Sequence, residues 1–304
     1  MVTIHQLKVF VSIAESRSIR RAAEQLVVTQ PAVSSILASL EKEIGVELVA
    51  RSGRGIALTE AGEVLHGYAR SLLGLLDEAI TATRGVVDPA GSEVRIGATT
   101  ASADHMLMPL LARARDKRPE MRFSLEVGNR ARIWQLLADR HIDLAISSQP
   151  PVSGAFDSLA THPNEFVLVA KPGLVWPGRV GDATWLVREQ GSSTRAATDE
   201  AMAMLGVAPT VLVIGSNSAI QSSAEAGLGV ALLPRDAVKE AIRSRHLATV
   251  KVPASPLSKP WHLLIRAGEN LNAVTRQFVS DLIGCDGGFE LTPVGASMNL
   301  AAGS

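Results

Sequence analysis

Apolar positions in the first sixty residues recur at three- and four-residue steps and stop at polar or small residues. Leu7, Phe10, Val11 and Ala14 mark a first helix, around Gln6 to Glu15. Ile19, Ala22, Ala23 and Leu26 mark a second, with Ser18 placed to cap it. Val33, Ile36, Leu37, Leu40 and Ile44 form the stripe of a third, opened by Thr29 as cap. Pro31 falls in its first turn, where a missing N–H costs least. The opposite face of that third helix, Pro31, Ser34, Ser35 and Ala38, is made of small side chains. From Glu47 to Leu58 weak alternation around Arg51-Ser52-Gly53-Arg54-Gly55 predicts a hairpin with arginines at its tip.

Beyond the hairpin a long helix is predicted, with Thr59 as cap and Glu60 and Glu63 in its first turn, where they suit the helix dipole. Leu65, Ala69, Leu72, Leu76, Ala79 and Thr83 alternate four- and three-residue steps, a short heptad seam. Such a seam packs either on its own head or on a second copy. The second is preferred, because so small a head has limited surface to cover it. Gly85 to Ser92 reads as a breaker and hinge.

From Glu93 onward the period switches repeatedly between two and 3.6. Strands are predicted at Val94 to Ala98, Phe123 to Val127, Leu144 to Ile146, Phe166 to Ala170, Val211 to Ile214, Val230 to Leu233 and His262 to Ile265. Helices are predicted at Met106 to Lys117, Ile133 to Arg140, Thr194 to Leu205, Ile220 to Ala226, Asp236 to Arg243 and Ala273 to Leu282. This alternation defines an α/β fold with a mostly parallel sheet. Loop-rich crossings around Ser158 and near Pro260 divide it into two lobes. Gly287 to Ser304 is small and polar and reads as a frayed tail. The domain plan is 1–58 for the head, 59–90 for the linker helix and hinge, 91–290 for the two-lobed domain, and 291–304 for the tail.

Composition narrows the function. Over 304 residues, 30 Lys plus Arg balance 30 Asp plus Glu, so nucleic acid would be bound through a local surface. A smooth helix face followed by an arginine-bearing hairpin is such a surface. Bulk on that face would hold the helix away from base edges in a major groove. Arg51 and Arg54 suit phosphates or the minor groove. Arg20, Thr29, Gln30, Pro31, Ser34 and Ser35 complete the candidate DNA contacts.

The absence of a signal pattern and of any roughly 18-residue uncharged apolar run argues against export and a membrane span, and predicts a cytoplasmic protein. A lone cysteine, Cys285, fits a reducing compartment and is expected to pack near the last helix. The histidines show no zinc spacing, and no metal or cofactor is expected. No nucleophile elbow, P-loop or dinucleotide fingerprint is present. Gly227-Leu228-Gly229 reads as a turn into a strand. An enzyme on a two-lobed scaffold with an N-terminal regulatory head is therefore the second reading. A transport-type solute-binding protein, which needs an export signal and no such head, is the third.

Candidate ligand contacts lie where strands give way to helices. Thr99-Thr100-Ala101-Ser102 is either a capping turn or an anion-binding one, and the residues alone leave both open. Gly191-Ser192-Ser193-Thr194-Arg195 opens a helix with hydroxyls and a forked cation. Ser147 and Ser148 are a weaker third group.

Two blocks make the chain resemble the LysR-type transcriptional regulators, up to about Gly284. One is Ala22-Ala23 through Thr29-Gln30-Pro31-Ala32-Val33-Ser34, with Leu40-Glu41, Gly45, Arg51, Leu58-Thr59 and Ala61-Gly62. The other is Ser216-Asn217 through Ala226-Gly227-Leu228-Gly229-Val230-Ala231-Leu232-Leu233-Pro234. Ser35 departs from the longer polar residue usual there, and Val49 from an aromatic. The resemblance implies an α-rich winged helix-turn-helix, a coiled-coil linker and a two-lobed, periplasmic-binding-protein-like effector domain. It implies a homodimer or homotetramer that binds double-stranded promoter DNA, contacts RNA polymerase and answers to a small-molecule effector. Thr100, Ser102 and Thr194 match the family's effector-pocket positions, which implies an anionic ligand.

Overall fold

The structure is a computed structural model that describes residues 1–52, 55–87, 93–148, 150–151, 154–174, 179–283, 288–298 and 300. Arg54, Cys285 and most of the expected hinge (88–92) lie outside the described residues. The chain divides into two compact units: a head built on Met1–Val87, and a second unit that carries the remaining strands and helices.

Local capping sets the head's boundaries. Helix α1 (Ile4–Ser16) starts at Thr3, whose side chain accepts from Gln6 N–H in a reciprocal capping box. Ser18 caps α2 (Ile19–Leu26) by accepting from Arg21 N–H. Thr29 caps α3 (Gln30–Ile44) by accepting from Ala32 N–H. Between α2 and α3 the turn is made by Val27, a β-branched residue held at φ 56°. Phe10, Ile13, Ala22, Val33 and Leu40 fill the space between the three helices and are fully buried. Strands β1 (Val49–Ser52) and β2 (Gly55–Leu58) pair antiparallel as the predicted hairpin. Glu41 ties this wing to α3, its carboxylate accepting from Leu48 N–H at 2.8 Å and Val49 N–H at 3.3 Å.

Thr59 begins α4 (Glu60–Val87), accepting from Gly62 N–H at 3.0 Å. Two expectations are corrected in the head. Ile44 is at the helix end and 37% exposed, outside the buried stripe. The heptad seam is also split. Leu65 and Ala69 pack into the head's own core, whereas Val64, Tyr68, Leu72 and Leu75 form the exposed apolar stripe.

The first lobe of the second unit contains β3 (Glu93–Thr99), α5 (Thr100–Ser102), a π-helical stretch (Ala103–Leu107), α6 (Met108–Lys117), β4 (Arg122–Gly128), α7 (Arg130–Ala138), β5 (Leu144–Ser148) and β6 (Phe156–His162). The chain then builds the second lobe. Its elements are β7 (Glu165–Ala170), β8 (Trp185–Val187), α8 (Ser193–Leu205), β9 (Val211–Val213), α9 (Asn217–Ala226), β10 (Val230–Pro234), α10 (Arg235–Arg243), β11 (Ala248–Thr249) and β12 (Leu257–Ser258). It returns through β13 (Trp261–Arg266) and α11 (Ala273–Ile283), and ends in β14 (Glu290–Leu291) and α12 (Pro293–Ser297).

The first lobe's sheet runs β14-β6-β13-β5-β3-β4, and the second's runs β11-β7-β10-β8-β9 with β12 on β7. Both sheets are mixed, where a mostly parallel sheet is expected from the alternation. The returning strands β13 and β7 pair antiparallel with their neighbours. The crossings lie between β6 and β7 and between β12 and β13, so Ser158 is inside a strand. The second crossing falls near Pro260, as predicted.

Residues after 287 are more than a frayed tail. β14 pairs with β6, and Phe289 and Leu300 are buried in the first lobe's core. At Gly295 a Cβ would meet the Leu159 carbonyl, so α12 lies directly against β6.

Candidate DNA-reading surface and ligand cleft

In the head, burial of Val33, Leu37 and Leu40 turns the other side of α3 outward. Pro31, Ser35 and Ala38 are exposed and Ser34 is partly so, giving a helix face without long side chains. Thr29 and Gln30 are exposed at its N-terminal end. Arg20 is exposed on α2, its Nε 3.8 Å from Glu24. Arg51 is exposed on β1, where it extends the surface along the wing. A side chain free of bulk at these positions lets backbone approach base edges.

In the second unit a cleft forms where strands of both lobes end. Thr100 and Ala101 follow β3, Gly128 ends β4 and Asn129 follows it, and Arg188 follows β8. Ser193 and Thr194 open α8, and Asn217 opens α9. The N-terminal ends of α7, α8 and α9 therefore all border this cleft, each turning the positive end of its helix dipole toward it. The lobes are drawn together: Ala131 N–H donates to Gly191 O across the cleft at 3.3 Å, and the cavity left is about 10 Å³. Gly191 has φ 84°, and a Cβ there would lie 3.3 Å from Ala131 Cβ, so the closed approach needs glycine.

The predicted ligand residues separate into two sets. Thr100, Ser193 and Thr194 line the cleft. Ser102 does not: it is fully buried, within hydrogen-bond distance of Thr99 Oγ1 (2.8 Å) and the carbonyls of Thr99 (2.9 Å) and Ile146 (3.0 Å). It locks the start of the helix to β5. Ser147 and Ser148 are also buried, and the Ser147 hydroxyl donates to Ser148 O. Arg195 turns away from the cleft, donating to Asp199 Oδ1 at 2.7 Å and to Arg188 O at 3.1 Å.

Gly128, Asn129, Arg188 and Asn217 line the cleft without having been proposed as ligand contacts from sequence, and the last two carry the most chemistry. Arg188 is 5% exposed. Its Nε and Nη2 donate to the two oxygens of Glu189 at 2.8 and 2.9 Å, and its Nη1 donates to Asn217 Oδ1 at 3.0 Å. Burial pushes the Glu189 carboxyl up, but the hydrogen bonds from Arg188 and its own N–H, with the Arg188 charge, outweigh this and hold it below the usual carboxylate range. Asn217 is 8% exposed, and among the described residues its Nδ2 has no hydrogen-bond partner. The only sequence signal for Asn217 was its place in the Ser216-Asn217 block, and Arg188 carried none.

Among the described residues no group of His, Cys, Asp and Glu is arranged to hold a metal, and no helix is long and apolar enough to cross a membrane.

A winged helix-turn-helix followed by a two-lobed domain with a polar cleft between its lobes defines a ligand-responsive DNA-binding regulator. Residues 4–63 match the bacterial regulatory helix-turn-helix proteins of the lysR family, and residues 88–283 match the LysR substrate binding domain. The chain belongs to the LysR family of transcriptional regulators. It is a regulator and not an enzyme, as its named relatives are.

The RuBisCO operon transcriptional regulator of Acidithiobacillus ferrooxidans is 31% identical over 291 residues, covering 92% of this chain and 93% of that protein. The transcriptional activator CmpR of a Synechocystis strain is 30% identical over 292 residues, covering 93% and 96%. Among solved structures, the LysR family regulator CbnR aligns with a TM-score of 0.63 at 21% identity, covering 92% of this chain and 98% of that one. The regulatory domain of Synechocystis PCC6803 CcmR, in complex with 2-PG, aligns with a TM-score of 0.57 at 24% identity, covering 62% and 93%. These structural likenesses concern the fold.

Proposed function

We propose that this regulator reads promoter DNA through α3 and the wing, and that a small anion in the interlobe cleft switches it. Ser34, Gln30 and Thr29 touch bases or adjacent phosphates, Pro31 and Ser35 lie against the groove, and Arg20, Arg51 and Arg54 meet phosphates. The functional parts divide near residues 58 and 90. Two heads pair through the exposed stripe of α4, and dimers join as a homotetramer that works in the cytoplasm and contacts RNA polymerase. Half-sites then lie about one turn, roughly 10 bp, apart or a multiple of it.

The observation that carries the anionic reading is the buried Asn217 Nδ2, a donor without an acceptor, in a cleft bordered by three helix N-terminal ends. Thr100, Ser193 and Thr194 add hydroxyls there. CcmR, whose regulatory domain holds 2-PG, is a precedent for a small anion in this fold. The ligand acts by binding closed and open lobes with different affinity.

The test is a thermal-shift screen of the full chain with phosphate, sulfate, 2-PG and small carboxylates, followed by promoter-fragment binding with any ligand that stabilises. At 100 times its dissociation constant a ligand adds about 2.7 kcal/mol. Thr100→Val is expected to blunt the shift and spare DNA binding. No stabilisation by any anion tried would overturn the reading.

A further inference from the structure

The donors of the cleft are unequal in what they are bonded to. Arg188 is the obvious counter-charge for an anion, yet both its Nε and Nη2 are clasped by the carboxylate of Glu189, and its Nη1 is engaged by Asn217 Oδ1. Its charge is matched inside the protein. The bond to Asn217 has a geometric consequence. A carboxamide whose oxygen is fixed has its nitrogen fixed as well. With Oδ1 on Arg188, the Asn217 amide cannot flip, and its Nδ2 stays a donor without a partner in a residue that is 8% exposed and lines the cleft. Buried donors are nearly always paired, so one held unpaired at a cleft is open to an acceptor that a ligand or a water brings.

We infer that Asn217 is the ligand-contacting donor of the second lobe, and that Arg188 and Glu189 are positioning residues that hold its amide nitrogen for the anion. This rests on the reading of the cleft as an anion site. The anion is then recognised by neutral donors, namely the Asn217 amide, hydroxyls and helix N-terminal N–H groups. Such a site selects by the placement of acceptor oxygens, because a preorganised donor loses little freedom on binding.

The experiment is calorimetric titration of the full chain with inorganic phosphate, sulfate and 2-PG, alongside the melting temperature of each variant without probe. Asn217→Asp keeps an acceptor for Arg188 and replaces the ligand-facing amide with a carboxylate oxygen. It is expected to melt no lower than the parent and to weaken the best probe by more than the roughly 10- to 150-fold of a lost hydrogen bond to a charged group. Asn217→Ala, which adds no charge, is expected to fall within that range and serves if the first variant folds poorly.

Arg188→Lys keeps the charge but lacks the fork that spans Asn217 and Glu189, so it is expected to lose affinity as Asn217→Ala does. Glu189→Ala is expected to weaken binding several-fold, because Arg188 loses its anchor. Were Glu189 only a repelling charge, its removal would tighten binding. Parental affinity in both Asn217 variants, parental affinity in Arg188→Lys, or tighter binding in Glu189→Ala overturns the inference while leaving the anion site standing. If the parent binds none of the three probes, the anion reading fails and the inference with it.

Discussion

Asn164 and Lys259 are hydrogen-bonded to each other twice. Lys259 N–H donates to Asn164 O at 2.8 Å, and Asn164 Nδ2 donates back to Lys259 O at 2.7 Å. The two residues stand at the two crossings between lobes, so the strands that join the lobes are tied side by side. Asn164 is 6% exposed. Any opening of the cleft must turn about these few residues.

Asn164→Ala removes the side-chain bond and leaves the Lys259 carbonyl without it. The expected cost is about 1–3 kcal/mol, the penalty for stranding a buried polar group. Equilibrium unfolding in urea measures it. Unchanged stability would mean that the pair does not set the hinge.

The head offers two ways to lose DNA binding, and they differ in stability. Ser34→Glu puts bulk and negative charge on the smooth face of α3 and is expected to abolish promoter binding in a protein that melts normally. Glu41→Ala leaves that face intact. It frees the N–H groups of Leu48 and Val49 and unties the wing from α3. Its expected signature is weaker binding together with about 1–3 kcal/mol lower head stability. Fluorescence anisotropy on promoter DNA, paired with thermal melting, separates the two. Tight binding by Ser34→Glu would remove α3 from the groove.

The apolar stripe of α4 needs a cover. Val64, Tyr68, Leu72 and Leu75 are 59%, 70%, 54% and 46% exposed and follow one another at steps of four, four and three. That spacing is one face of a helix, and the partner proposed for it is a second copy of α4. Leu72→Glu is expected to shift the protein toward monomer in analytical ultracentrifugation and to weaken promoter binding, since two linked heads gain from effective concentration. An unchanged sedimentation coefficient would place the dimer contact elsewhere.

How far the sequence could be read depended on the range of the interactions involved. Ser18, Thr29 and Thr59 cap their helices as predicted because capping involves residues only three apart. The same reasoning placed Leu65 and Ala69 on a seam that in fact faces the head core. A heptad pattern shows which residues share a face, and the packing of other elements decides what covers it. Thr100 and Thr194 were legible as hydroxyls at helix starts. Ser102 looked the same in sequence, yet its hydroxyl is taken up by Ile146 O, 44 residues away. Arg188 and Asn217 meet only because β8 and the start of α9 end at the same edge, a fact of strand order that no local pattern carries. The strand β14 spans two residues, too few for alternation to register.

The last expectation concerns acid. His262 on β13 is partly buried, with Nδ1 2.9 Å from Ser158 Oγ, and burial holds its pKa below the usual histidine value. In the unfolded chain this histidine takes up its proton near pH ~6.5. The folded protein resists protonation until lower pH, so between the two values the unfolded state binds more protons. Stability from this site is complete above the unfolded pKa and is lost as pH falls through that window toward the folded one. His262→Gln should therefore flatten part of the decline in melting temperature between neutral pH and pH ~5. His66 in the head, whose pKa burial and the Arg70 charge also lower, leaves a remaining slope in that variant. Parallel curves for parent and His262→Gln across this range would show that the burial of His262 carries no proton linkage.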